Sequence, residues 1–391
     1  VFTDFKEDHH LQDNYCSQGA SRLLHVWSSG IWNSLVSNQC SSGVLNGMEE
    51  PSESVYERVA KMLLKRYKDQ VVAKFHQSTD DYRYQRLLRS CSYARSIQDS
   101  ANRLCTIYEN PAWHSAVLET LDLDLIYTNV DAMSIKSEEE YSDNLVKELL
   151  RYFKQDFFKW VNAPDCENCG ENDSTSQGST GPNADEAPYE CWVVEQYKCN
   201  KCGTITRFPR YNDPIKLLDY RKGRCGEWCN LFTLILKSFG LEARYVQNRE
   251  DHVWCEYYSQ YLKRWVHVDS CEQSFDEPHI YSKNWNKKMS YCIAFSNDTV
   301  VDVSKRYILQ NQLPRDQISE DDLQFLCRLI TQKLRSGLDD DTIFKLANRD
   351  ELERLEWLPN RVQDAPTPTD RTVGRQSGST AWKSQRGEDG K

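Results

Sequence analysis

The spacing of apolar positions divides the chain into segments of different period. In SVYERVAKMLLKRYKDQVVAKF, apolar Val59, Met62, Leu63, Val71, Val72 and Phe75 recur at helical spacing with basic residues between them. That pattern predicts an amphipathic helix facing a core or a partner. YSDNLVKELLRYFKQDFFKW, residues 141–160, predicts a second helix capped by Ser142 or Asp143. Further on, Trp228, Leu231, Phe232, Ile235 and Phe239 repeat at the same period, and Gly240 supplies a stop. Between residues 241 and 310 the texture becomes β-like, with short β-branched and aromatic runs in LEARYVQ, HVWCEYY, KRWVHVD, YCIAF and VVDVSKRYI. Helical spacing returns in DDLQFLCRLITQKLR and DDTIFKLANRDELERLEWL. Three stretches stand outside these periods. Residues 1–50 are rich in Ser, Asn and Gly around one apolar patch, LLHVWSSGIWNSLV, that predicts at most a short helix. Residues 170–188 predict a polar loop, and residues 361–391 a disordered tail.

Composition narrows the classes that fit. With 39% hydrophobic and 12% aromatic residues in 391, the chain can bury a sizeable core. A net charge of −10 argues against nucleic-acid binding driven by the whole surface. No run of eighteen apolar residues exists to span a membrane, and the acidic, interrupted first residues do not read as a signal peptide. Four of the fifteen cysteines form a paired spacing and the others follow no framework, which points to a reducing compartment. The sequons at Asn172 and Asn297 are then expected to stay unmodified.

The paired cysteines are Cys166-x-x-Cys169 and Cys199-x-x-Cys202, each followed by glycine. Two such turns present four thiolates for a closed tetrahedral site, which suits one structural Zn2+. The long interval between them is the polar loop, whose closure entropy grows only slowly with length. Redox pairs or free thiols are the alternatives.

In YRKGRCGEWCNLFTLILKSFG the predicted helix starts close to Cys225. A thiol there meets unpaired backbone N–H groups and the positive helix end, which favour thiolate; Cys229 lies one turn deeper. A nucleophilic thiolate needs a base, and the base an orienting group. If the runs DHVWCEYY and KRWVHVDS pair through a loop of residues 259–262, His252 falls opposite Asp269, Trp254 opposite His267 and Glu256 opposite Trp265, all on one face. His267 is a competing base on the same face. Arg244 and Glu256 suit a structural ion pair, and Glu272 either enters the cleft or is a solvated loop carboxylate.

GRCGEWCN, DHVW, RWVHVDSCE and NKKMSYCIAFS, with the two CxxC pairs and the tail WKSQRGEDGK, together resemble the cytoplasmic peptide:N-glycanases, in the transglutaminase-like branch of papain-type enzymes. The resemblance implies an α+β fold: a papain/transglutaminase-like core at 211–310, a zinc-binding subdomain at 161–210, and flanking helices at 51–160 and 311–360. It implies that Cys225 is the nucleophile, His252 the base and acid, Asp269 the orienting carboxylate, and Cys166, Cys169, Cys199 and Cys202 the zinc ligands. Arg244, Trp254, Glu256 and Trp265 match positions important for activity, and Glu272 a position implicated in glycan contact. Expected substrates are misfolded N-glycoproteins, in the cytoplasm, with the nucleus as a second compartment. The expected partner is the ubiquitin-receptor DNA-repair protein that shuttles cargo to the proteasome, docked through a helix; nucleic acid and membrane are not expected. A transglutaminase or cysteine peptidase with the same triad, and an inactive zinc-bearing adaptor, are the rival readings.

Overall fold

The computed structural model describes residues 53–357 and 374–390. The chain divides into two units, Val1–His76 and Gln77–Lys391. In the first, the predicted amphipathic helix runs over Glu53–Phe75 and leaves Val59, Met62 and Leu63 exposed. The expected boundary near residue 50 therefore moves to residue 76, and this helix does not belong to the unit that holds the core. The predicted extension 1–50 and its apolar patch lie outside the described residues.

The second unit is built on an antiparallel six-stranded sheet in the order β11-β10-β6-β7-β8-β9. Its strands are β6 (Ala243–Asn248), β7 (His252–Ser259), β8 (Arg264–Asp269), β9 (Ser274–Phe275), β10 (Cys292–Phe295) and β11 (Val300–Asp302). Helix Cys225–Ser238 packs on β6 and β7 and is buried on almost every side, from Trp228 through Leu236. A helix apolar all round belongs at the centre of a fold, where each buried Leu, Ile or Phe contributes roughly 1.5–3 kcal/mol. It ends where Gly240 adopts φ +72° and Leu241 N–H returns to the Leu236 carbonyl at 3.1 Å. A separate three-stranded sheet holds β2 (Ser174–Thr180), β3 (Val194–Cys199) and β4 (Ile205–Pro209). A short parallel pair, β1 (Lys159–Trp160) with β5 (Lys222–Gly223), lies directly before the central helix.

Four expectations are corrected. The helix expected over 141–160 spans Glu138–Tyr152, because Ser137 sits at the N-cap position and Glu138–Glu140 occupy the first turn; Asp143 is buried instead and accepts from Tyr257 Oη. The polar stretch 170–188 contains strand β2, whose side chains are mostly exposed. Backbone pairing with β3 and anchored ends suffice to order it without a hydrophobic face. The β7–β8 hairpin turns one residue later than expected, over 260–263, with Lys263 in the left-handed region at φ +55°. Pairing is Ser259 with Arg264, Tyr258 with Trp265 and Glu256 with His267, a shift of two. A shift of two keeps every side chain on its predicted face and moves His252 to the diagonal of Asp269, within reach of a long side chain. Finally, the end of the supposed disordered tail is folded: Gly374–Gly390 carries helix Thr380–Gln385 and buries Arg375 and Glu388. Its polar composition concealed two ion-pair anchors and one tryptophan, Trp382, packed on Trp160.

Candidate active site

The approach to the central helix is tightly constrained. A Cβ at Gly223 would lie 2.5 Å from Glu227 Cβ, so no larger residue fits there without displacing the helix start. The Glu227 carboxylate accepts the Arg224 N–H at 2.9 Å and pairs with Arg210 at 2.5 and 2.8 Å. Arg224 forms a bidentate pair with Glu195 at 2.9 and 2.7 Å, and Arg210 reaches the same carboxylate at 2.9 Å. Glu195 lies on β3 and Arg210 just past β4, so the small sheet clamps the turn that precedes the helix. Such bidentate guanidinium–carboxylate pairs fix geometry as well as energy.

Cys225 is the first residue of that helix and is half-buried. Burial raises its pKa, but the imidazole of His252 and the charge of Arg375 outweigh that and hold it below the ordinary thiol value. Cys229, one turn on, lies 3.6 Å from Cys255, and burial pushes its thiol well up. The two cysteines of this stretch are therefore unequal. Nε2 of His252 bonds Asp269 Oδ2 at 3.0 Å. Burial and Arg375 oppose protonation of His252, yet Asp269 and Cys225 prevail and its pKa is raised. Asp269 is fixed on every side: Oδ1 accepts Cys271 N–H at 2.8 Å and Glu272 N–H at 3.3 Å, and Oδ2 also accepts the Tyr281 hydroxyl at 2.9 Å. Despite burial, His252 holds this carboxyl well below its usual range. With Nε2 donating to a carboxylate, Nδ1, buried and without a hydrogen-bond partner among the described residues, is the nitrogen left for sulfur. A lowered thiol beside a raised imidazole favours the thiolate–imidazolium pair, the nucleophile and acid that acyl transfer needs.

His267 does not compete as base. Burial pushes its pKa down to about 4. The Tyr281 hydroxyl has one proton, which it gives to Asp269, so it accepts from His267 Nε2 at 2.6 Å.

The residues that match positions important for activity or glycan contact, and so are candidates to bind substrate, are buried. Arg244 and Glu256 face each other across β6 and β7, 2.5 Å apart and fully buried. Arg244 also pairs with Glu353, while Arg306 and Tyr307 reach Glu256 at 2.5 Å. Trp265 packs beneath the guanidinium of Arg244 at 4.1 Å. Trp254 packs on Tyr281 and Tyr307 with ring centroids 4.3 and 4.6 Å apart, and its ring lies 5.7 Å from that of His252. These four residues stiffen the sheet that carries His252 and Asp269 and offer no open surface. Glu272 is also buried, with its carboxylate taking the N–H groups of Gln376 and Ser377 at 2.9 and 3.0 Å. It anchors the C-terminal segment, so neither the solvated loop nor a cleft-facing carboxylate describes it.

Cys166, Cys169, Cys199 and Cys202 bring their sulfurs within 4.8 Å of one another, with closest contacts of 3.4 to 3.6 Å. A tetrahedral metal with bonds of about 2.3 Å sets its sulfurs about 3.8 Å apart, so the cluster fits a bound metal ion. Gly170 and Gly203 adopt φ +70° and +75°, the left-handed turn that closes each knuckle. No helix among the described residues is long and apolar enough to cross a membrane.

The transglutaminase-like superfamily profile matches residues 172–270, and the Rad4 transglutaminase-like domain profile matches residues 242–356. Curated relatives decide the family. A peptide-N(4)-(N-acetyl-beta-glucosaminyl)asparagine amidase of Saccharomyces cerevisiae is 61% identical over 352 residues, covering 86% of this chain and 97% of the relative. The chain belongs to the peptide-N(4)-(N-acetyl-beta-glucosaminyl)asparagine amidase family. The amidase of the same name from Candida glabrata is 60% identical over 87% of this chain and 99% of its own length. A solved Rad4-Rad23 complex bound to a 6-4 photoproduct UV lesion is a remote likeness, 12% identical with a TM-score of 0.42 over 74% of this chain and 61% of that chain.

Two features of this amidase-family member escaped sequence reasoning. Tyr281, on the turn Ile280–Asn284, bridges His267 and Asp269, and no periodicity marks it. The segment after residue 374 forms one wall of a cleft of about 650 Å³ that is also lined by Trp160, Trp228 and Cys271. The only sequence signal there was the family-like WKSQRGEDGK, which said nothing of where it packs.

Proposed function

We propose that this chain hydrolyses the bond between an N-glycan and its asparagine side chain in misfolded glycoproteins. The observation that carries the reading is a thiol at a helix N-terminus beside a carboxylate-oriented imidazole, in a chain that aligns with nearly the whole length of the relatives bearing that activity's name. The Cys225 thiolate attacks the side-chain carbonyl carbon, and first-turn N–H groups face the oxyanion that forms. The His252 imidazolium protonates the departing glycosylamine as the C–N bond breaks, leaving a thioester on Cys225. Water, deprotonated by His252, opens the thioester, releasing aspartate and restoring the thiol. Asp269 keeps the imidazole in one tautomer throughout. The cleft walled by Trp160 and Trp228 supplies space for substrate next to the nucleophile helix. A transglutaminase would give an isopeptide product instead. Conversion of Asn to Asp at a former glycosite, with free glycan, distinguishes the two by mass spectrometry.

The pH profile follows from the paired shifts. Activity needs the thiolate, so it falls as pH drops through a Cys225 pKa below the ordinary thiol value. It also needs the imidazolium, so it falls as pH rises through a His252 pKa above the ordinary imidazole value. The expected kcat/KM profile is a bell with its acid limb below the free-thiol range and its alkaline limb above pH about 6.5. Steady-state glycan release across pH checks both limbs.

The four-cysteine cluster is read as one structural zinc site. When bound, zinc would hold the two knuckles together, and the chain's own Glu195–Arg224–Arg210 clamp passes that order to the start of the nucleophile helix. Removing the metal with a thiol-directed chelator is expected to lower the melting temperature and glycan release together. An unchanged melting curve after metal loss contradicts the reading.

For the partner, the exposed row Val59, Met62 and Leu63 on helix Glu53–Phe75 supports a helical contact with a proteasome-shuttling ubiquitin receptor. Met62→Glu should weaken that binding by tenfold or more in calorimetry without altering glycan release.

A further inference from the structure

The folded C-terminal segment Gly374–Gly390 is tied down at both ends and along its length. Gly374 N–H donates to the Asn284 carbonyl at 2.8 Å, and Gly390 N–H to the Trp285 carbonyl at 3.1 Å. Glu388 makes a buried pair with Lys287 at 2.7 Å, and Glu272 holds the N–H groups of Gln376 and Ser377. Arg375, fully buried within this strap, lies among three indole rings, with its guanidinium carbon 4.7 Å from the Trp382 centroid, 4.9 Å from Trp285 and 5.1 Å from Trp160. Two of those rings lead to the reacting groups. Trp285 packs on the His252 ring at 5.1 Å, and Trp160 on Trp228, one turn past Cys225, at 6.4 Å.

The guanidinium's hydrogen bonds are unevenly used. Nη1 pairs with Glu388 at 2.8 Å and Nε donates to Ser377 Oγ at 2.8 Å, while Nη2 is buried without a hydrogen-bond partner among the described residues. Leaving a charged donor buried and unused costs free energy, so a purely structural arginine has reason to close it. The charge also couples to the sulfur. Burial opposes the Arg375 charge, and Cys225 is the strongest of the groups that sustain it, ahead of Glu388.

We propose that Arg375 is a positioning residue delivered by the C-terminal strap, which acts through Cys225 by holding its sulfur as thiolate. The proposal rests on reading Cys225 as the nucleophile. The groups that act on that sulfur are His252 and Asp251 from the hairpin and Arg375 from the strap, with Cys271 after β8 coupled to it; Asp269 and Glu272 act on Cys271 in turn, and Glu388 pairs with Arg375. Lys154, Asp156 and Lys159 line the cleft that Trp228 and Cys271 border. Without Arg375, His252 is left to lower the Cys225 pKa against burial and the charge of Asp251.

The test uses the full chain with Arg375→Gln, Arg375→Lys and Glu388→Gln. The rate at which iodoacetamide alkylates Cys225 is followed against pH by peptide mass spectrometry, with glycan release measured in parallel. In Arg375→Gln the alkylation midpoint should rise by about one pH unit or more, as expected when an opposite charge that favours the thiolate is lost. kcat should fall tenfold or more with KM nearly unchanged. Arg375→Lys should restore most of the midpoint. Glu388→Gln removes the counter-charge and should move the midpoint down. Opposite shifts in the two variants support electrostatic positioning. An unchanged midpoint in Arg375→Gln, or shifts of the same sign in both as the strap detaches, overturns it. A low wild-type midpoint without glycan release would sink the amidase reading and leave this proposal standing.

Discussion

Replacing Asp269 by asparagine is expected to lower glycan release by about 10⁴-fold while the protein stays folded. The reason lies in how the four hydrogen bonds of this carboxylate are divided. Oδ1 takes two backbone N–H groups, from Cys271 and Glu272, and an amide oxygen would keep both. The asparagine NH₂ must then lie where Oδ2 accepts from His252 and Tyr281. Facing a donor, Nε2 of His252 must become the acceptor, and the ring proton moves to Nδ1, the nitrogen that serves the thiol. A ring already protonated there cannot take the sulfur's proton, so the thiolate–imidazolium pair does not form. Glycan-release kinetics beside a thermal melt separate this outcome from unfolding. Activity within tenfold of wild type, with the melt unchanged, would contradict the assigned tautomer.

The second large effect is on stability. Arg244→Met should destabilise the folded chain by about 3 kcal/mol, the low end for breaking a buried ion pair, because it leaves two buried carboxylates to share Arg306. Arg244 sits between Glu256 and Glu353 with all three side chains buried, and Trp265 packs against its guanidinium. Arg306 still reaches both carboxylates, so the loss falls short of the full cost of an isolated buried charge. Urea denaturation at neutral pH measures it, and a change under about 1 kcal/mol would show that the cluster carries little of the sheet's stability. Any loss of activity in this variant is expected to follow the unfolded fraction, since none of these groups opens onto the cleft.

What was legible in the sequence has a physical pattern. The central helix and the strands announced themselves through period, and the period of two placed His252, Trp254, Glu256, Trp265, His267 and Asp269 on one face even though the turn was set one residue early. The knuckle spacing announced the four-cysteine cluster because local geometry alone determines it. Long-range burial was harder to read. Glu272 looks like a loop carboxylate until Gln376 and Ser377 are seen to donate to it from about a hundred residues away. Arg244 and Glu256 were read both as an ion pair and as positions important for activity; their cross-strand pairing supports the first, and their burial rules out direct contact with substrate. The strap is the sharpest case, since its order rests on ion pairs and cation–π contacts with distant residues, which leave no periodic trace in a polar segment.

The most direct test of the account is deglycosylation of a denatured high-mannose glycoprotein by the wild-type chain and by Cys225→Ala, side by side. Wild type should release free glycan and leave aspartate at each former glycosite. Cys225→Ala should do neither while staying folded, because losing one half-buried thiol at the helix start leaves the buried residues from Trp228 through Leu236 in place. Release retained by Cys225→Ala, or an isopeptide product from the wild type, would contradict the account.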